Sequence, residues 1–143
     1  MADLDEEKLL IKIDQMESYL SELEEVLPET YENYEKVEKR RSTERLLQLA
    51  IQTVIDICSI VVSGLDLGLP SEENDLFDKL ADEGVISEDT KNTLYEMRGF
   101  RNILVHEYAT VDNQLVFETA QEGTEDFRKF ASEIKEGLLK RNN

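Results

Sequence analysis

Apolar residues at Leu9, Ile13, Met16, Leu20, Leu23 and Leu27 recur at gaps of three and four, the spacing that keeps one face of a helix apolar. The intervening positions are mostly Glu and Lys, so a helix is predicted over about 3–27, closed by Pro28. A second helix is expected over about 29–63. Its first half, ETYENYEKVEKRRSTER, is polar, and its second half, LLQLAIQTVIDICSIVV, is apolar nearly all round, as in a helix packed on several sides. Gly64, Gly68 and Pro70 then mark a loop. Ser71 offers an N-cap to a short helix over about 72–83, with Glu72 and Glu73 in the first turn, where the helix dipole favours acids. Gly84 ends that helix, and Ser87 caps the next, about 88–108, with Glu88 and Asp89 in its first turn. Asp112 can cap a last helix, about 115–139, carrying Phe117, Ala120, Phe127, Phe130, Ile134 and Leu138. With no hairpin signal, repeat or linker, residues 1–143 read as a single all-α domain: a four-helix bundle with an additional short helix.

One pattern departs from plain core. Glu44, Gln48, Gln52 and Asp56 repeat every four residues along the apolar half of the second helix. Either this is a solvent-facing seam, or it faces a cleft or a subunit interface. The formal charge of −17, from 16 basic and 33 acidic residues, repels polyanions at long range, so a general nucleic-acid-binding surface is not expected. The basic exception is KVEKRRSTER, where Lys36, Lys39, Arg40, Arg41 and Arg45 outnumber Glu38 and Glu44. The lone cysteine, Cys58, lies in an apolar run and reads as a small buried hydrophobe. A single thiol and an acidic start without a signal-peptide pattern point to a cytoplasmic protein. The longest apolar segment, 46–62, is interrupted by Gln48, Gln52 and Asp56 and reads as too short and too polar to cross a bilayer.

Candidate chemistry concentrates in RGFRNILVHEY, residues 98–108, which holds the only histidine. One cysteine and one histidine cannot build a Cys/His zinc site, and no glycine-rich phosphate loop or serine elbow is present. On an ideal helix Arg98, Arg101 and Tyr108 fall near one face, with Asn102 and His106 on the adjacent one. Histidine exchanges protons near neutral pH, and arginine is a permanently charged fork for phosphate. Together they suffice to cleave RNA without a metal: a base activates the ribose 2′-hydroxyl and a cation stabilises the phosphorane. The plainer reading is a histidine at a helix C-terminus favoured by the dipole and backed by arginine. Transesterification works best with an acid and a base, so one imidazole per chain makes a two-fold dimer the economical solution.

The pattern Arg101, four residues, His106, one residue, Tyr108 resembles the R-x-x-x-x-H-x-Y signature of HepT-like toxins of the HEPN superfamily. The resemblance extends to ERLLQLAIQTVIDICSIVVS, similar to that family's long central helix, and to GLPSEENDLFDKLADEGVIS, similar to its linker and short helix. It implies a HEPN-type four-helix fold, a homodimer with both motifs at a shared cleft, and a metal-independent endoribonuclease acting as the toxin of a toxin–antitoxin pair, with no cofactor. It further implies that Arg101 stabilises the scissile phosphate, that His106 is the general acid/base and that Asn102 orients substrate. Tyr108 then corresponds to the tyrosine that an MntA-like nucleotidyltransferase antitoxin modifies with AMP, blocking RNA entry. Arg98, Arg40, Arg41 and Arg45 are expected to form the positive rim that RNA meets, unless the last three are simply solvated charges. A non-catalytic HEPN module that helps a nucleotidyltransferase bind nucleotide, or serves as its substrate, is the alternative.

Overall fold

The computed structural model describes residues 4–106 and 111–141, with the side chains of 139 and 140 left aside. Every regular element among the described residues is a helix: α1 (Glu6–Val26), α2 (Tyr31–Tyr34), α3 (Val37–Gly64), α4 (Glu73–Asp82), α5 (Glu88–His106), α6 (Asn113–Glu122) and α7 (Thr124–Arg141). Asp5 caps α1, its carboxylate accepting the Lys8 amide at 3.0 Å. The apolar stripe Leu9, Ile13, Met16, Leu20, Leu23 is fully buried. Its main partner is α3, whose Ile51, Val54, Ile57, Cys58 and Val61 form the centre of the larger core with residues of α4, α5 and α7. A smaller core joins Leu23, Tyr34, Leu47, Leu104, Val116, Phe117 and Ala120, and Phe100 touches both. Leu104 in the smaller core anchors the far end of α5 on the first half of α3.

Three expectations are corrected. The helix expected over 29–63 is two helices, because Lys36 adopts extended backbone (φ −62°, ψ 133°). That turn lets Tyr34 leave the α3 axis and bury completely against Phe117, ring centroids 5.1 Å apart, a gain that outweighs the continuity of a polar helix. The last helix is likewise interrupted, at Gly123. There the amide donates to the Thr119 carbonyl at 2.7 Å, and a Cβ at that position would lie only 2.6 Å from the same oxygen. Finally, α3 is long and apolar enough to cross a membrane by length and composition, contrary to the reading of residues 46–62. Of its most apolar 18-residue stretch, 61% is buried inside the bundle, as in the core helix of a helical domain.

The short helix α4 starts one residue later than expected, with Glu72 rather than Ser71 at its N-cap position. Ser71 instead donates its amide to Asp75 at 2.8 Å. Gly84 closes α4 at φ +74°, with the Val85 amide reaching the Leu80 carbonyl at 2.9 Å, the left-handed turn that glycine adopts without strain. At the start of α5 the Ser87 hydroxyl accepts the Thr90 amide at 3.1 Å, as anticipated. Glu133 of α7 adds a tertiary cap, accepting from the Ser87 amide and the Thr90 hydroxyl at 2.6 Å each. Asp112 caps α6 by accepting the Gln114 and Leu115 amides.

Candidate active site

The C-terminal half of α5 carries the motif. At about 100° per residue the order around the helix is Arg101, Arg98, Asn102, His106, spread over about 140°. The buried side of α5 is set by Thr90, Leu94 and Leu104. On the flank that faces α4, Tyr95 donates its hydroxyl to Asp78, clasping the two antiparallel helices. Two turns further along, the same α4–α5 seam becomes the polar cluster of the site.

Arg101 is the most enclosed cation there, its side chain only 12% exposed. Its Nε donates to Asn102 Oδ1 at 2.9 Å, its Nη1 to Gln52 Oε1 at 2.5 Å, and its Nη2 to Glu73 Oε1. Arg98 Nε reaches the same Glu73 oxygen at 2.8 Å. Partial burial of Glu73 works against its ionised form, but the hydrogen bonds from Arg98 and Arg101 outweigh it and hold the carboxyl below its usual range. Behind Arg101 the network continues: Gln52 Nε2 donates to Asp56 Oδ1 at 3.1 Å, and Lys12 Nζ of α1 meets Asp56 Oδ2 at 3.4 Å. One chain of polar contacts thus links α1, α3, α5 and α4.

The sequence-predicted residues divide accordingly. Arg98, Arg101 and Asn102 are brought together. His106 is exposed at the end of α5, about 7.5 Å along the axis from Arg101 at 1.5 Å per residue. Tyr108 lies outside the described residues. Of the basic cluster, Arg40 Nε donates to the Glu35 carbonyl at 3.1 Å, Arg41 pairs with Glu44 at 3.0 Å, and Arg45 is exposed. These three stand on the first half of α3, at the bundle end that holds the smaller core of Leu47 and Leu104. The four-residue polar stripe proves to be mixed. Its Gln52 and Asp56 back the motif arginine, whereas Glu44 serves Arg41. Neither Glu73 nor Gln52 was singled out as a site residue by the sequence. Glu73 has the signature of an ordinary first-turn acid, and Gln52 was visible only as one step of a stripe.

The other flank of α5 is different in kind. Thr93, Met97 and Phe100 line an apolar hollow of about 260 Å³ with Leu47, Ile51 and Phe127. Among the described residues, no three His, Cys, Asp or Glu side chains converge as a metal site requires.

Residues 16–134 match the family model described as Ribonuclease HepT-like. The mRNA nuclease HepT of Shewanella oneidensis is 34% identical over 89 residues, spanning 62% of this chain and 67% of the relative. The tRNA nuclease HepT of Aphanizomenon flos-aquae is 29% identical over 102 residues, 71% of this chain and 69% of the relative. Among solved structures, a tri-AMPylated HEPN toxin of Shewanella oneidensis in complex with its MNT antitoxin superimposes with a TM-score of 0.83. It is 27% identical, covering 94% of this chain and 98% of that one.

Proposed function

The chain belongs to the HepT-like ribonuclease family, and from that membership we propose a metal-independent endoribonuclease toxin, cutting RNA at a cleft shared by two copies. The observation that carries the reading is Arg101, drawn into the seam between α3, α4 and α5 with Asn102 hydrogen-bonded beside it and His106 further along the same helix. In this reading His106 takes the proton of a ribose 2′-hydroxyl. The 2′-oxygen then bonds to phosphorus, the bond to the 5′-oxygen breaks, and that oxygen leaves with a proton. Arg101 stabilises the extra charge on the phosphorane, and Asn102 orients the arginine through its side-chain oxygen.

A second imidazole supplies the acid that one chain lacks, and the surface of α5 suits the approach of another copy. Asn92, Glu96, Gly99, Ile103 and His106 form an exposed stripe at gaps of four and three. A Cβ added at Gly99 would meet nothing within 4 Å, so a second helix could approach closely there. Control falls to a nucleotidyltransferase antitoxin of MntA type, a reading supported by the tri-AMPylated Shewanella toxin in complex with MNT antitoxin. The Tyr108 oxygen would bond to the α-phosphorus of ATP, releasing pyrophosphate and leaving an AMP group beside the motif. That adds bulk and negative charge where RNA must enter.

The test is RNA cleavage by purified protein in the presence of a chelator. His106→Ala should retain the helical circular dichroism spectrum and lose at least a hundredfold in rate, at the low end of what a positioned acid–base group supplies, about 10²–10⁴. Equal rates for the variant and the parent protein would exclude His106 from catalysis.

A further inference from the structure

Phosphate is gripped best by two parallel guanidinium N–H groups, side-on through Nε and Nη2 or end-on through Nη1 and Nη2. Nη2 belongs to both forks. In Arg101 it is Nη2 that donates to Glu73, while Nε and Nη1 are held by the neutral amide oxygens of Asn102 and Gln52. With Nε and Nη1 held by the two amides, Nη2 is the donor of Arg101 that an RNA phosphate can take without displacing them, and the Glu73 carboxylate already occupies it. The same Oε1 also accepts from Arg98 at 2.8 Å, so it sits where one oxygen of a phosphate bridging the two arginines would sit. Two anions on one guanidinium repel each other in a site this enclosed. Glu73 is also the group free to leave. It is the first residue of α4, after the 65–72 loop, and its side chain is 32% exposed against 12% for Arg101.

We propose that Glu73 is an internal competitor for the RNA phosphate: it occupies the Arg98–Arg101 pair at rest, and substrate binding exchanges its carboxylate for a phosphodiester. The inference rests on Arg101 being the phosphate ligand. The exchange favours phosphate only where a strand brings several contacts at once, so an isolated anion is a poor ligand. Gln52 and Asn102, being neutral, can stay in place and keep the guanidinium aimed.

The experiment compares the full chain with Glu73→Gln, which keeps the shape and removes the charge. Glu22→Gln, an exposed change on α1, controls for net charge. One probe is RNA made non-cleavable by 2′-O-methyl riboses. The other is inorganic phosphate, followed by NMR at the Nε–H signals of Arg98 and Arg101. Glu73→Gln should bind both probes about two- to fivefold more tightly than the parent, the scale of a partly exposed ion pair, and Glu22→Gln should not. Unchanged or weaker phosphate binding by Glu73→Gln overturns the proposal; weaker binding would make Glu73 a positioning residue for Arg101 instead. If phosphate binding tightens but no variant binds RNA, the competitor stands and the RNA reading falls.

Discussion

Arg101 divides its guanidinium among Asn102, Gln52 and Glu73, partners contributed by α5, α3 and α4. Only arginine has donors in a fixed plane able to meet three acceptors at once, and a lysine here would keep the charge but lose the geometry. Glu73 is the partner whose contribution depends on pH. Its carboxyl is held below the usual carboxylate range by Arg98 and Arg101 against the opposing effect of partial burial. A lowered folded-state value means the stabilisation is complete above the unfolded pKa of about 4.3 and is lost as pH falls through the folded value. Thermal melts of the parent protein and Glu73→Gln should therefore differ by a constant amount from about pH 6 to pH 8. The gap should shrink steadily below about pH 4. A gap that widened on acidification would contradict the assigned direction.

At the scale of elements, α5 is held at both ends by other helices. Glu133 of α7 caps its start through Ser87 and Thr90, Asp78 of α4 takes the Tyr95 hydroxyl midway, and Leu104 packs into the smaller core near its end. A site that depends on the aim of α5 thus depends on α7, which contributes none of the motif residues. Removing the Glu133 carboxylate leaves the Ser87 amide and the Thr90 hydroxyl without their tertiary acceptor. Glu133→Ala is expected to lose about 2 kcal/mol, the range for hydrogen bonds to a charged group. Urea denaturation would measure it, with faster amide exchange confined to the first turn of α5. An unchanged midpoint would show that local capping by Ser87 suffices.

Across the whole molecule, 33 acidic residues face a proposed polyanionic substrate, so productive contact has to be confined to a locally positive zone. The exposed stripe on α5 gives that confinement a geometric form, because pairing two copies along it would bring their two His106 side chains to one seam. Ile103, 38% exposed on that stripe, is the place to test it. Ile103→Glu should sediment as a monomer and lose RNA cleavage while keeping its helical spectrum. A variant that sedimented as its parent does would remove the stripe from the interface.

Much of this was legible along the chain. The buried stripe of α1, the apolar body of α3, the caps Ser87 and Asp112 and the terminating Gly84 are local matters, since periodicity, capping and left-handed turns are decided within a few residues. Arg98, Arg101, Asn102 and His106 stood out for the same reason: their spacing puts them on bordering strips of one helix. The breaks at Lys36 and Gly123 were not legible, because helical pattern continues through both and only the burial of Tyr34 and the packing of α6 and α7 as separate helices require the chain to turn. Nor could spacing reveal that Gln52 and Glu73, 49 and 28 residues from Arg101, share its guanidinium. Charge partners that far apart meet only when the bundle folds, and in a chain so rich in acids the one that matters is chosen by position in space.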